Sequence, residues 1–277
     1  MNSVKRFMMI VAGLLGALCI VGLQLAWNVQ SPSHLHSITE RAGTARALAN
    51  VLPDYAAGKL PDSEAANKAF RSQVKAADID MTLASLNESI AAAYVGRTDT
   101  VEVDLSPITR PVIRSGYQIP PGTVFAENTV QIGGLAAVLR TANRATMPML
   151  LCFVGVVALT TLLGIKRGFI RSICGVLLFA ALFLSGFFLA TLALPFLVNT
   201  LVTSSGLDAS LRSIVVDYIS VVARDAGRYY LIWAVVLLVI AGILSGLTGM
   251  HRRPKKKHHK IQKDQKSAES EKPNEAW

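Results

Sequence analysis

Four stretches of the chain carry no Asp, Glu, Lys, Arg or His: residues 7–27, 147–165, 172–198 and 231–250. At a rise of about 1.5 Å per residue, each is long enough as a helix to cross a hydrocarbon core of about 30 Å. The pattern predicts four transmembrane helices. After the first, the spacing becomes amphipathic. Leu35, Ile38, Ala42, Ala45, Leu48 and Leu52 recur at three- and four-residue steps and predict a helix stopped by Pro53. A second helix, with Asp62 as its N-cap, buries Ala66, Phe70, Val74 and Ala77. A third, with Asp80 as its N-cap, places Leu83, Leu86, Ile90 and Tyr94 on one face and ends near Gly96.

The period then drops to two. In TVEVDLSPI, Val101, Val103 and Leu105 alternate with Glu102 and Asp104, which predicts a strand; a partner strand is expected within TVFAENTVQI, between Pro121 and Gly133. From Leu135 to Ala145 the helical pattern returns and leads into the second apolar stretch. In the loop after the third, Leu207, Leu211, Ile214, Val215, Tyr218, Ile219 and Val222 share a face. They predict an amphipathic helix that lies in the membrane interface or caps the first domain. The expected fold class is mainly α: four transmembrane helices and an extracytoplasmic α-helical domain carrying a small β element.

Composition alone does not orient the chain, but charge does. The protein has 277 residues, 52% of them hydrophobic, and a formal net charge of +10. Acidic and basic residues balance within 28–146 and again within 199–230, so the surplus falls on residues 1–6, 166–171 and 251–277. All three segments lie on one side of the predicted membrane. By the positive-inside rule they are cytoplasmic, which makes 28–146 and 199–230 extracytoplasmic and the protein a multi-pass plasma-membrane protein with both termini inside. Lys166, Arg167 and Arg171 form a basic turn between the second and third spans, and Arg252, Arg253, Lys255, Lys256 and Lys257 open a disordered tail. Both groups are expected to contact anionic lipid headgroups of the inner leaflet. Trp27, Tyr229, Tyr230 and Trp233 fall at the outer ends of their helices, where amphipathic rings favour the interface. No A-x-A-like cleavage site ends the first apolar stretch, so it reads as an uncleaved anchor.

Candidate chemistry is sparse. Cys19, Cys152 and Cys174 all lie within predicted spans and read as small buried hydrophobes. Asn87 opens an Asn-x-Ser sequon, but inside an apolar helical pattern. His34 and His36 form an H-x-H pair without a carboxylate or Cys at ligand spacing, so no metal and no cofactor is expected. Glu102 and Asp104 share a strand face and read as its solvated side rather than as a catalytic pair. No nucleophile elbow, Cys/His arrangement or phosphate-binding loop is present, which disfavours an enzyme. No charged residue lies within a span, which disfavours an ion or proton pathway. The basic tail lacks interleaved aromatics and a folded partner module, which disfavours nucleic acid. Small-xxx-small spacings at Ala12/Gly16 and Gly13/Ala17, and at Ala241/Ser245 and Gly242/Gly246, permit close packing of the first and fourth spans, or a homo-oligomer.

The order of these elements, with VEVDLSPI (Val101 to Ile108) and RYYLIWAVVLLVIAGILSGL its most recognisable parts, resembles a group of uncharacterised bacterial, mainly actinobacterial-type, four-span integral membrane proteins. The resemblance covers most of the chain, weakly in residues 30 to 95. It implies a four-span topology and a bacterial source, and it brings no activity with it. The leading expectation is a non-enzymatic protein of the cell envelope whose extracytoplasmic domain binds a partner protein or envelope component. A transporter or channel-like unit, oligomeric or not, is the rival, and a membrane signalling adaptor a third reading.

Overall fold

The computed structural model describes residues 3–164, 169–204 and 208–250. Helix α1, Ser3–Gln30, carries the first apolar stretch without a break. Ser31 then turns the chain: its Oγ accepts from the His34 amide at 3.3 Å, and Pro32 occupies the first turn of α2, Pro32–Arg41, where a missing N–H costs nothing.

The single helix expected to stop at Pro53 is two helices. Gly43 at φ 64 separates α2 from α3, Thr44–Lys59, and α3 runs straight through Pro53. A left-handed residue is readily supplied by glycine and ends the helical bond pattern. An internal proline costs about 3 kcal/mol, but Pro53 is itself buried and the turn beyond it delivers Ala56 to the core, with Leu60 immediately after the helix. Helix α4, Ser63–Gln73, starts where Asp62 accepts from the Ala65 amide at 3.1 Å. Helix α5, Ala76–Tyr94, begins four residues before Asp80, the expected cap, because Asp78 reaches back to accept from the Lys75 amide at 2.8 Å.

Strands β1, Val101–Asp104, and β2, Thr129–Ile132, form a two-stranded antiparallel ribbon pairing Val101 with Ile132 and Asp104 with Thr129. The ribbon rests on α5, whose Ser89 Oγ accepts from the Glu102 amide at 2.8 Å. The alternation expected to run to Leu105 ends at Asp104, whose carboxylate accepts from the Ser106 amide at 2.8 Å and starts helix α6, Ser106–Arg114. Ile108 and Val112 therefore enter the core from a helix. They meet Phe70, Ile79, Ala56 and Phe125, with the Phe70 and Phe125 rings edge to face at 5.0 Å. A second cluster of Ala93, Val101 and Ala136 joins α5 and the ribbon to the foot of α7, Leu135–Gly164.

Helices α8, Phe169–Ser204, and α9, Ala209–Met250, complete four helices that, among the described residues, are long and apolar enough to cross a membrane. The protein is a multi-pass membrane protein. The 36 and 42 residues of α8 and α9 correspond to about 54 and 63 Å of helix, well beyond a hydrocarbon core of about 30 Å. The amphipathic segment expected as a separate element is the first half of α9. It continues without a break into the fourth candidate span, and its N-terminal part packs against α2 and α3 of the first domain. Tyr230, expected at the water interface, is buried beside Phe187, whereas Trp27 and Trp233 are exposed.

α1 occupies the middle of the bundle. A Cβ at Gly13 would stand 2.5 Å from Phe179 Cβ, and one at Gly16 would stand 2.7 Å from Phe153 Cε2, so these glycines admit α8 and α7 respectively. Gly175 does the same for Met9 from the α8 side. Gly242 and Gly246 have no described atom within 4 Å of such a Cβ; α9 instead packs on α8, with Cys174 Sγ donating to the Ala241 carbonyl at 3.6 Å. Gly242 and Gly246 of α9 thus do not meet the small residues of α1.

Gly13→Ala is expected to destabilise the bundle by about 1–3 kcal/mol through overpacking. Gly242→Ala, set in open space, is expected to leave it no less stable. Unfolding of the purified protein by SDS titration in mixed micelles distinguishes the two; equal effects would show that α1 is not packed as described.

Candidate functional site at the junction of domain and bundle

Polar chemistry concentrates where the domain of residues 31–134 meets the bundle. Arg41 is the last residue of α2, and its Nε donates to the Ser37 carbonyl at 3.2 Å, which holds the guanidinium outward from the helix end. Its Nη1 donates to Asp225 Oδ1 at 2.8 Å, and its Nη2 to Asp225 Oδ2. The pair is bidentate, a geometry that fixes the angle between the two elements as well as their distance. Asp225 stands on α9, one turn before the aromatic Tyr229 and Tyr230. Its side chain is 10% exposed against 44% for Arg41, so the carboxylate is the desolvated member. The hydrogen bond to Asp225 raises the Arg41 pKa above its already high ordinary value.

Beside this pair, His34 and His36 diverge, as alternate residues of a helix must. His34 Nε2 and His36 Nδ1 are buried without hydrogen-bond partners among the described residues. His36 Nε2 lies 3.7 Å from Asp80 Oδ2. His36 and Asp80, with Glu40 and Arg46, border an open hollow of about 260 Å³ between α2, α3 and α5. Among the described residues no group of three or more His, Cys, Asp or Glu side chains is placed to hold a metal ion.

Glu102 and Asp104 border a second, wider hollow of about 430 Å³ with Glu88 and Ser89. Both carboxylates are engaged locally. Glu102 Oε1 accepts from Gln131 Nε2 at 3.1 Å and from Thr100 Oγ1 at 3.2 Å. The Asp104 pKa is lowered, first by the hydrogen bonds it accepts from Ser106 and least by the charge of Arg110. Cys19 and Cys174 are buried and Cys152 exposed, all as free thiols. Of the residues expected to contact lipid, Arg171 is exposed near the start of α8. Lys166, Arg167, Arg252, Arg253, Lys255, Lys256 and Lys257 lie outside the described residues.

The Arg41–Asp225 pair escaped the sequence reading because its members are 184 residues apart. A local sign of it exists. Ile214, Tyr218, Val222 and Asp225 follow one another at three- and four-residue steps, so Asp225 falls on the buried face of its helix, where an acid needs a partner.

No known protein family, curated protein or solved structure matches the chain.

Two outcomes test these assignments. Arg41→Ala leaves the desolvated Asp225 carboxylate unpaired and is expected to cost about 1–3 kcal/mol. Asp225→Ala costs less, since Arg41 turns to water, and adding it to Arg41→Ala restores part of the loss; a double variant worse than either single one would refute the asymmetry. For Asp104, the folded pKa lies below the unfolded value. Its contribution to stability is therefore present above the ordinary carboxylate range and lost as pH falls through the folded value. Unfolding midpoints recorded from neutral pH down to about pH 3 should fall less steeply for Asp104→Ala than for the natural protein.

Proposed function

We propose that this is a non-enzymatic protein of the bacterial cell envelope, whose domain of residues 31–134 binds a partner protein or envelope component on the side of the plasma membrane opposite the termini. The observation that carries this reading is the bracing of the domain. It is continuous with α1 through the Ser31 cap, it packs on α7 through Ala93, Val101 and Ala136, and it is clamped to α9 by Arg41 and Asp225. A tether needs none of these contacts; a surface presented at a set angle to the membrane does. The balance of charge within 28–146, set against the basic surplus of the termini, supports placing the domain outside.

Permeation through the bundle has less support. The contacts among α1, α8 and α9 near their centres are Ala17, Ala181, Leu184, Tyr230 and Ala234, a closed apolar set. Signalling draws on the same clamp, since Asp225 couples the domain to the helix that leads into the basic tail.

The test is in-cell photocrosslinking from Met81 and Ile113, which are exposed on the domain. The same molecule, captured at one or both positions and lost when the domain surface beside them is altered, is the expected result. Capture of a second copy alone, through α1 or α9, would replace this reading with a homo-oligomeric unit and make flux across proteoliposomes the next measurement.

A further inference from the structure

Helices α7 and α8 are consecutive and antiparallel yet share little contact, and a cavity of about 100 Å³ opens between them on the side nearer their connection. Phe153, Val157, Thr160, Val176 and Leu177 line it with apolar surface, together with Ser172. Ser172 is 2% exposed, and its hydroxyl has no hydrogen-bond partner among the described residues. Several hydroxyls of the long helices are satisfied by their own backbone: Ser185 donates to the Ala181 carbonyl at 2.9 Å and Thr200 to the Phe196 carbonyl at 3.0 Å. Ser172 stands in the first turn of α8, and the residue four before it lies outside the described residues. A buried hydroxyl that meets no acceptor is costly, and an acceptor supplied by the bilayer relieves that cost.

The surroundings state what that acceptor is. Ser172 begins the charge-free stretch 172–198, so it sits at the border between headgroups and hydrocarbon, where a bilayer carries its acyl ester carbonyls. The residue before it, Arg171, is exposed, and Lys166 and Arg167 precede that in sequence. An apolar cavity of about 150 Å³ takes up benzene; one somewhat smaller takes a short run of methylenes. We propose that the α7–α8 crevice is a binding site for an anionic glycerophospholipid. The Ser172 hydroxyl donates to an acyl ester carbonyl, the adjoining methylenes fill the cavity beside Val157 and Val176, and the phosphate pairs with Arg171. This site is independent of any partner of the domain.

Native mass spectrometry of the full chain in detergent, titrated with diacyl phosphatidylglycerol, its diether analogue and phosphatidylcholine, tests the site. The natural protein is expected to retain the diacyl anionic lipid preferentially, and Ser172→Ala to weaken it about fivefold, the worth of one neutral hydrogen bond. The same substitution should not change retention of the diether lipid, which has no ester carbonyl. Val157→Phe, which fills the cavity, should weaken both. Ester and ether lipids retained equally by the natural protein, or Ser172→Ala behaving as the natural protein toward the ester, would overturn the proposal, as would equal retention of phosphatidylcholine. Ser172→Ala removes only an unpaired hydroxyl and keeps the fold, so the ester and ether comparison decides even if Val157→Phe does not fold.

Discussion

Helices in a bilayer gain nothing from the hydrophobic effect by meeting one another, because lipid tails are as apolar as leucine; they associate only where their surfaces approach closely enough for dispersion to accumulate. That constraint makes α1 the centre of the molecule. Gly13 and Gly16 lie within one turn of each other, yet one receives Phe179 of α8 and the other Phe153 of α7. Met9, one turn earlier, fits the space left by Gly175. α7 is then held mainly by α1, and α9 mainly by α8. Because α1 also runs directly into the domain through Ser31, the packing that assembles the bundle sets the position at which the domain emerges from it.

The Arg41–Asp225 pair acts on a different scale. A desolvated carboxylate gives up hydration that its partner roughly restores, so such a pair contributes little net stability while penalising every arrangement that separates it. Its value is in angle and register. α9 rises past the end of α1 with no covalent tie to the domain, and without a directional contact its outer half would be placed only by apolar contact with α8. The clamp converts that permissive contact into a single orientation of α2 against α9.

How much of this was legible in the sequence depended on whether the signal was local. Long uninterrupted apolar runs mark the four spans because lipid admits little else, and the Asp62 cap and the alternating Val101 and Val103 act over a few residues. Pro53 misled because a buried proline inside a helix is offset by the core residues that follow it, whereas Gly43, an unremarkable residue in sequence, supplied the left-handed turn. Helix α6 was hidden by Pro107 and Pro111, although Pro107 occupies a first turn where its missing N–H is not needed. In α9, an amphipathic pattern and a uniformly apolar one abut; they mark a change of surroundings along one helix, not a break in the backbone. Gly242 and Gly246 show that spacing reports a capacity for close approach and not the partner, and nothing local to Arg41 could announce a residue 184 positions away.

That separation also imposes an order on biosynthesis. Arg41 leaves the ribosome 184 residues before Asp225, and at about 5–20 residues per second the interval is roughly ten to forty seconds. During it the domain has its own core and its tie to α1, but the guanidinium has only water and the Ser37 carbonyl. Its carboxylate arrives at the head of the last helix, so the clamp closes only after α8 and the outer half of α9 have been delivered to the domain's side. A nascent chain truncated before α9 has no carboxylate to close the clamp, and an unpaired Arg41 is then the chemical mark of an unfinished molecule.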